Sequence, residues 1–194
     1  MSKNILIINS HPDKLSFNYA LSSRYEKGAK EAGAKVNVLN LTELDFNPFF
    51  NAVENEIELE HDIKNAQELL YKSDHIVFFF PIWWASMPAL LKAFLERVLV
   101  PNLSYNAVKN ERSFIKWNEI LSGKTARIIA TMDAPPSYYI LKVKQPAFYT
   151  MKDILKFCGI KKISKTYFGS VSQSTVQTRE RWLAKTENLG KLLK

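Results

Sequence analysis

Three short segments of this chain carry residue types that can do chemistry. The first, Asn9 to Asn18, reads NSHPDKLSFN and runs into a stretch of helical pattern. A helix amino terminus offers unpaired backbone N–H groups and the positive end of a dipole, so it suits a phosphate. Ser16 and Asn18 add side-chain donors there, and His11 can donate to the same anion; taken alone, His11 reads more readily as a loop histidine bonded to its neighbours. The second segment, Pro81-Ile82-Trp83-Trp84-Ala85, directly follows the apolar run Ile76-Val77-Phe78-Phe79-Phe80. Ligands of open α/β sheets sit at the carboxyl ends of such strands. Tryptophans placed there can wall a large planar ligand, adding roughly 0.5–1.5 kcal/mol beyond area burial. Packing against the next helix is the other reading. The third segment, Thr131-Met132-Asp133-Ala134-Pro135-Pro136-Ser137-Tyr138-Tyr139, also follows an apolar run. Its two prolines lack N–H groups and reduce the backbone donors on offer.

Other chemistries find little support. The six glycines are too scattered for G-x-G-x-x-G or a P-loop, which disfavours a dinucleotide Rossmann fold and an NTPase. No G-x-S-x-G elbow is present. His11, His61 and His75 have no chelating spacing and no carboxylate motif beside them, so no metal site is expected. The single cysteine, Cys158, excludes an intramolecular disulfide and has apolar neighbours, which fits a buried thiol in a reducing compartment.

The elements that must position these segments alternate along the chain. Strand patterns cover 4–9, 35–41, 74–80, 125–132 and 163–171, and helical patterns cover 16–32, 59–72, 88–100, 146–158 and 175–193. That alternation predicts an α/β fold, a parallel sheet with helices on both faces, in one domain over residues 1–194. Ser16 reads as the N-cap of the first helix and Gly33 as its exit. Residues 101–123 and 133–145 read as long irregular connections of the kind that cover or line sites. No stretch has the length and apolarity of a membrane span, and MSKNILIINS enters a strand without a leader pattern. The expectation is a cytoplasmic protein without membrane insertion.

Lysine and arginine total 27 against 19 acidic residues, a formal charge of +8. Residues 161–194 concentrate eight of the basic residues, which reads as the solvated face of a last helix. No groove-reading motif accompanies them, so nucleic-acid binding is not expected. Attraction of an anionic substrate is the other use of such charge.

Residues 81–98, PIWWASMPALLKAFLERV, match the pattern P-x-x-W-x-x-x-P-A-x-L-K-x-x-x-x-R-V, and His11 to Asn18 match H-x-x-x-x-S-F-N. On these two motifs, with smaller echoes at Asp45-Phe46-Asn47-Pro48 and Phe157-Cys158-Gly159-Ile160, the chain resembles the flavodoxin-like NAD(P)H:quinone oxidoreductases, the DT-diaphorase family. The resemblance implies a doubly wound, five-stranded parallel sheet in the order 2-1-3-4-5. It implies a bound flavin, FMN or FAD, with NAD(P)H as co-substrate and a quinone or similar electron-poor aromatic as acceptor in a ping-pong, two-electron transfer. A homodimer through the helix after Pro88 belongs to the same inference. The flavin-binding set it implies is His11, Ser16, Phe17, Asn18, Pro81, Ile82, Trp83, Trp84, Thr131, Met132, Asp133, Ala134 and Tyr139. Tyr139 is the implied catalytic residue, through a hydroxyl bonded to the reduced flavin or the quinone. The chain departs from the animal enzymes where T-T-G-G becomes Thr131-Met132-Asp133-Ala134 and where Gln145 replaces a histidine. Two other roles resemble the same family: a flavin-bearing regulatory subunit of a potassium efflux system, and a flavodoxin-type electron carrier.

Overall fold

Strand β3 (His75–Pro81) is buried along its whole length, because both faces of the sheet are covered. A computed structural model describes residues 2–49, 59–99 and 120–193. Around β3 lie β1 (Asn4–Asn9), β2 (Lys35–Asn40), β4 (Thr125–Thr131) and β5 (Lys162–Phe168). All pairings are parallel and the order is β2-β1-β3-β4-β5, as expected.

Alternation along the strands divides the core in two. Leu6, Ile8, Phe78, Phe80 and Ile128 face one side, packed with α2 (His61–Lys72), α3 (Ala89–Val98) and α5 (Pro146–Phe157). Ile5, Ile7, Val77, Phe79 and Ile129 face the other, under α1 (Phe17–Glu31) and α6 (Val176–Lys191). Helices α1 and α6 approach so closely that a Cβ at Gly28 would stand 2.0 Å from the Glu187 carbonyl oxygen, and one at Gly190 2.2 Å from that of Tyr25. Ser16 caps α1, its Oγ accepting from Tyr19 N at 3.4 Å.

The structure trims several expected boundaries and adds one element. The last strand stops at Phe168 rather than continuing to 171, since Ser170 takes a φ of +53° and the chain turns back toward β4. Residues 133–145, expected to be irregular, contain helix α4 (Pro136–Leu141). Pro136 occupies its first turn, where a missing N–H breaks no helical bond, so the proline pair begins a helix. Most of the other long connection, 101–123, lies outside the described residues.

At the amino-terminal end of β3, His75 is buried, with Nδ1 2.7 Å from Thr125 Oγ1 and Nε2 without a protein partner. Burial, then the charges of Lys3 and Arg127, lowers its pKa from 6.5 to about 4. The unfolded chain therefore binds this proton first as pH falls. Stability is fully present above pH 6.5 and is lost down to about pH 4, by about 3 kcal/mol in total. Urea denaturation across this range should show that slope, and His75→Asn should flatten it.

Candidate active site

Register brings the carboxyl ends of the strands to one edge: Asn9 pairs with Phe79, Pro81 with Thr131, and Thr131 with Phe168. The loops that follow enclose a cleft of about 170 Å³. His11, Phe17 and Asn18 line it from the first loop, Pro81, Ile82 and Trp83 from the second, and Thr131, Met132 and Asp133 from the third.

The first loop is held by its own polar groups. Asn9, fully buried, donates from Nδ2 to Ser22 Oγ at 3.1 Å and accepts from His11 N at 3.1 Å. His11 Nδ1 accepts from Asp13 N at 3.0 Å, so the neutral ring carries its proton on Nε2 and keeps that donor. Burial lowers the His11 pKa against the opposing influence of Asp13, which favours this neutral form. The amides of Phe17 and Asn18 precede the first helical bond, Ala20 N to Ser16 O. Asn18 takes a different part from the one expected: its Nδ2 is spent on Thr131 Oγ1 at 2.6 Å, which ties the first loop to β4. Its Oδ1 is buried without a protein partner, a position suited to a ligand N–H or O–H.

In the second loop Ile82 N donates to Thr131 O at 2.7 Å, and Trp83 and Ser86 exchange two backbone bonds of 3.0 and 2.9 Å. The two residues between them, Trp84 and Ala85, have φ of +48° and +64°. This is a tight hairpin of the type normally built with Asn-Gly, made here from two residues that disfavour it. Trp83 faces the cleft with its ring 5.6 Å from that of His11, edge to face. Trp84 is fully exposed and lines an adjoining hollow of about 480 Å³ with Trp83, Met87 and Thr150. A groove of about 370 Å³ between α3 and α5 is walled by Leu95, Leu99, Ile154, Phe157 and Cys158, with Lys92, Glu96 and Asp153 as its charged residues.

The third loop is laced to the chain after β5. Met132 N donates to Phe168 O, Val171 N to Met132 O, Ser170 N to Ala134 O, and Ser172 N to Asp133 Oδ1 at 2.9 Å. This lacing adds Val171 to the cleft lining, a residue that the strand pattern had absorbed into β5. The signal for it was Gly169, a glycine at a strand end where another segment approaches closely. A Cβ there would stand 2.4 Å from Pro136 Cδ and 2.5 Å from Ala134 O.

Four residues of the expected binding set lie outside the cleft lining. Ser16 sits beside it as the helix cap, Trp84 points into the neighbouring hollow, and Ala134 contributes its carbonyl to the lacing. Tyr139 lies outside the lining and is held by the protein itself. It is buried, its hydroxyl donates to Ala85 O at 3.3 Å and accepts from Ala147 N at 3.2 Å, and it does not reach the cleft. Burial raises its pKa, so the phenol stays protonated. Gln145 is bolted in place as well, its Oε1 accepting from Lys165 Nζ and from Tyr167 OH. Among the described residues, no cluster of side chains could hold a metal ion.

A family model described as a flavodoxin-like fold matches residues 3–189. The chain belongs to this family. An uncharacterized NAD(P)H oxidoreductase of Haemophilus influenzae is 27% identical over 87% of this chain and 84% of its own length. The rat NAD(P)H dehydrogenase [quinone] 1 is 25% identical over 96% of this chain and 77% of its own. An FMN-dependent NADH-azoreductase of Bacillus anthracis, solved in complex with FMN, shares the fold at a TM-score of 0.75, with 15% identity over 98% of this chain and 99% of that one.

Replacing Gly169 with alanine should separate the third loop from the chain after β5, since neither Ala134 O nor the Pro136 ring is the end of a flexible side chain. The expected cost is about 1–3 kcal/mol in a denaturant titration, with faster amide exchange at Val171 and Ser172.

Proposed function

We propose that the cleft binds a flavin by its phosphate and ring, and that the chain is an NAD(P)H:quinone oxidoreductase. One observation carries the reading: a capped helix terminus with free amides, an aromatic wall and a buried unpaired acceptor, Asn18 Oδ1, converge on a single cleft. The amides of Phe17 and Asn18, the Ser16 hydroxyl and the Nε2–H of neutral His11 suit a phosphate. Pro81, Ile82 and Trp83 on one side, with Thr131, Met132 and Asp133 on another, suit the ring. FMN is taken as the working form because the azoreductase of the same fold was solved with it.

A flavin held there would supply the redox chemistry, a two-electron relay between NAD(P)H and the acceptor. The protein's part is to hold the reactants in turn over the ring and keep water from it. The hollow beside Trp83, walled by Trp84, Met87 and Thr150, suits a flat, electron-poor aromatic such as a quinone. One hollow serving donor and acceptor in turn would give ping-pong kinetics.

Trp84, Tyr138, Leu141 and Tyr149 are exposed on the segments after β3 and β4 and on α5. This apolar surface supports a homodimer, with a second subunit covering the hollow. Among the described residues no helix is long and apolar enough to cross a membrane. A buried lone thiol, Cys158, with its pKa raised to about 11 by burial, suits a reducing cytoplasm.

Steady-state rates with NADPH and menadione should give parallel double-reciprocal lines. Intersecting lines would exclude the exchange of donor and acceptor at one hollow. Ser16→Ala removes both the cap and a phosphate donor, so FMN affinity by fluorescence titration should fall about tenfold, with a loss of about 1 kcal/mol in stability. Sedimentation equilibrium should return twice the 22.3 kDa chain mass.

A further inference from the structure

We propose that Tyr139 is a positioning residue: its hydroxyl fastens the Trp83–Ser86 hairpin to the amino end of α5 and so holds Trp83 in the cleft wall. Three sets of observations meet here. The hairpin is under conformational strain, because Trp84 and Ala85 both adopt the left-handed region without the glycine or asparagine that makes it cheap. Strained backbone of this kind persists only where its surroundings over-determine it. Within the hairpin only the two Trp83–Ser86 bonds close the turn.

The Tyr139 hydroxyl supplies a further hold from outside. It donates to Ala85 O at 3.3 Å, on the second of the two strained residues, and accepts from Ala147 N at 3.2 Å, in the first turn of α5. Both bonding directions of the phenol are used. Its ring cannot swing away, since it is 2% exposed and meets Tyr167 edge to face with centroids 5.5 Å apart. Tyr167 is in turn bonded to Gln145, where the chain itself turns left-handed just before α5 at φ +56°. The hairpin is thus anchored to β5 and α5 through one side chain. At its near end, Trp83 leads from the hairpin to the His11 ring in the cleft.

The consequence for ligand binding rests on the flavin reading above, whereas the consequence for the hairpin does not. Amide hydrogen exchange on the flavin-free protein separates the two. In Tyr139→Phe the Trp83 and Ser86 amides should exchange about three- to tenfold faster, the effect of one lost neutral hydrogen bond, while the amides of β3 keep the wild-type rate. A general structural loss would accelerate both groups alike. FMN binding should weaken by a similar factor, and adding Ala85→Gly, which makes the left-handed residue inexpensive, should restore most of both effects. Ala85→Val, which strains the turn without touching Tyr139, should reproduce the Tyr139→Phe pattern. Unchanged exchange at Trp83 and Ser86 in Tyr139→Phe overturns the proposal, whatever happens to FMN. So does weaker FMN binding that Ala85→Gly fails to restore, since the hydroxyl would then act on the ligand directly. If wild-type protein binds no flavin, the exchange result still decides the hairpin and only the flavin reading falls.

Discussion

The parallel register of β3 against its two neighbours is the constraint on which the rest of this structure depends. Because Pro81 stands opposite Thr131, and Thr131 opposite Phe168, the strands release their chains at one level. Parallel strands cannot be joined by tight hairpins, so each loop at that edge must lead away to a helix. Three such departures next to one another leave a crevice, bordered on one side by the first-turn amides of Phe17 and Asn18. The bond from Ile82 N to Thr131 O and the Asn18–Thr131 bond draw the three loops together around Thr131. Thr131 is therefore the junction of the site as much as a part of its wall.

Local pattern carried the elements well because β1, β3 and β4 are buried runs, β2 and β5 are short β-branched segments at the sheet edges, and the helices keep their stripes. Ser16 as a cap, the buried β3 and the alternation of elements all follow from short-range chemistry. The strand order needed the resemblance, since apolar runs do not say which neighbour they choose. Pairings between distant positions were not legible. Asn18 reads as a donor to a ligand until Thr131, 113 residues away, takes its amide. Tyr139 is a site residue only by the resemblance, and no local pattern shows that the turn of α4 places its hydroxyl against Ala85 O. The hairpin at Trp84 and Ala85 lacked any turn signal, because tertiary bonds rather than residue preference impose it.

Departures from the family pattern acquire a physical explanation in the same way. Asp133 and Ala134, in place of a glycine pair, join the third loop to residues 170–172 through a carboxylate and a carbonyl. The Asp133 carboxylate is the part of this lacing that a glycine could not supply, and Gly169 has no room for a Cβ against Ala134 O and the Pro136 ring. Gln145, in place of a histidine, accepts from Lys165 and Tyr167 and has no proton to relay. His11 lines the cleft with burial favouring its neutral form and with Nδ1 accepting from Asp13 N.

On the reading proposed above, one cleft at the carboxyl edge holds a flavin that NAD(P)H reduces and a quinone reoxidises. An anaerobic absorbance titration of the protein loaded with FMN, and separately with FAD, tests it most directly. Addition of NADPH should bleach the flavin band, and menadione should then restore it within the turnover time. A flavin that binds but is reduced by neither NADPH nor NADH, or a protein that binds neither flavin, would contradict the account.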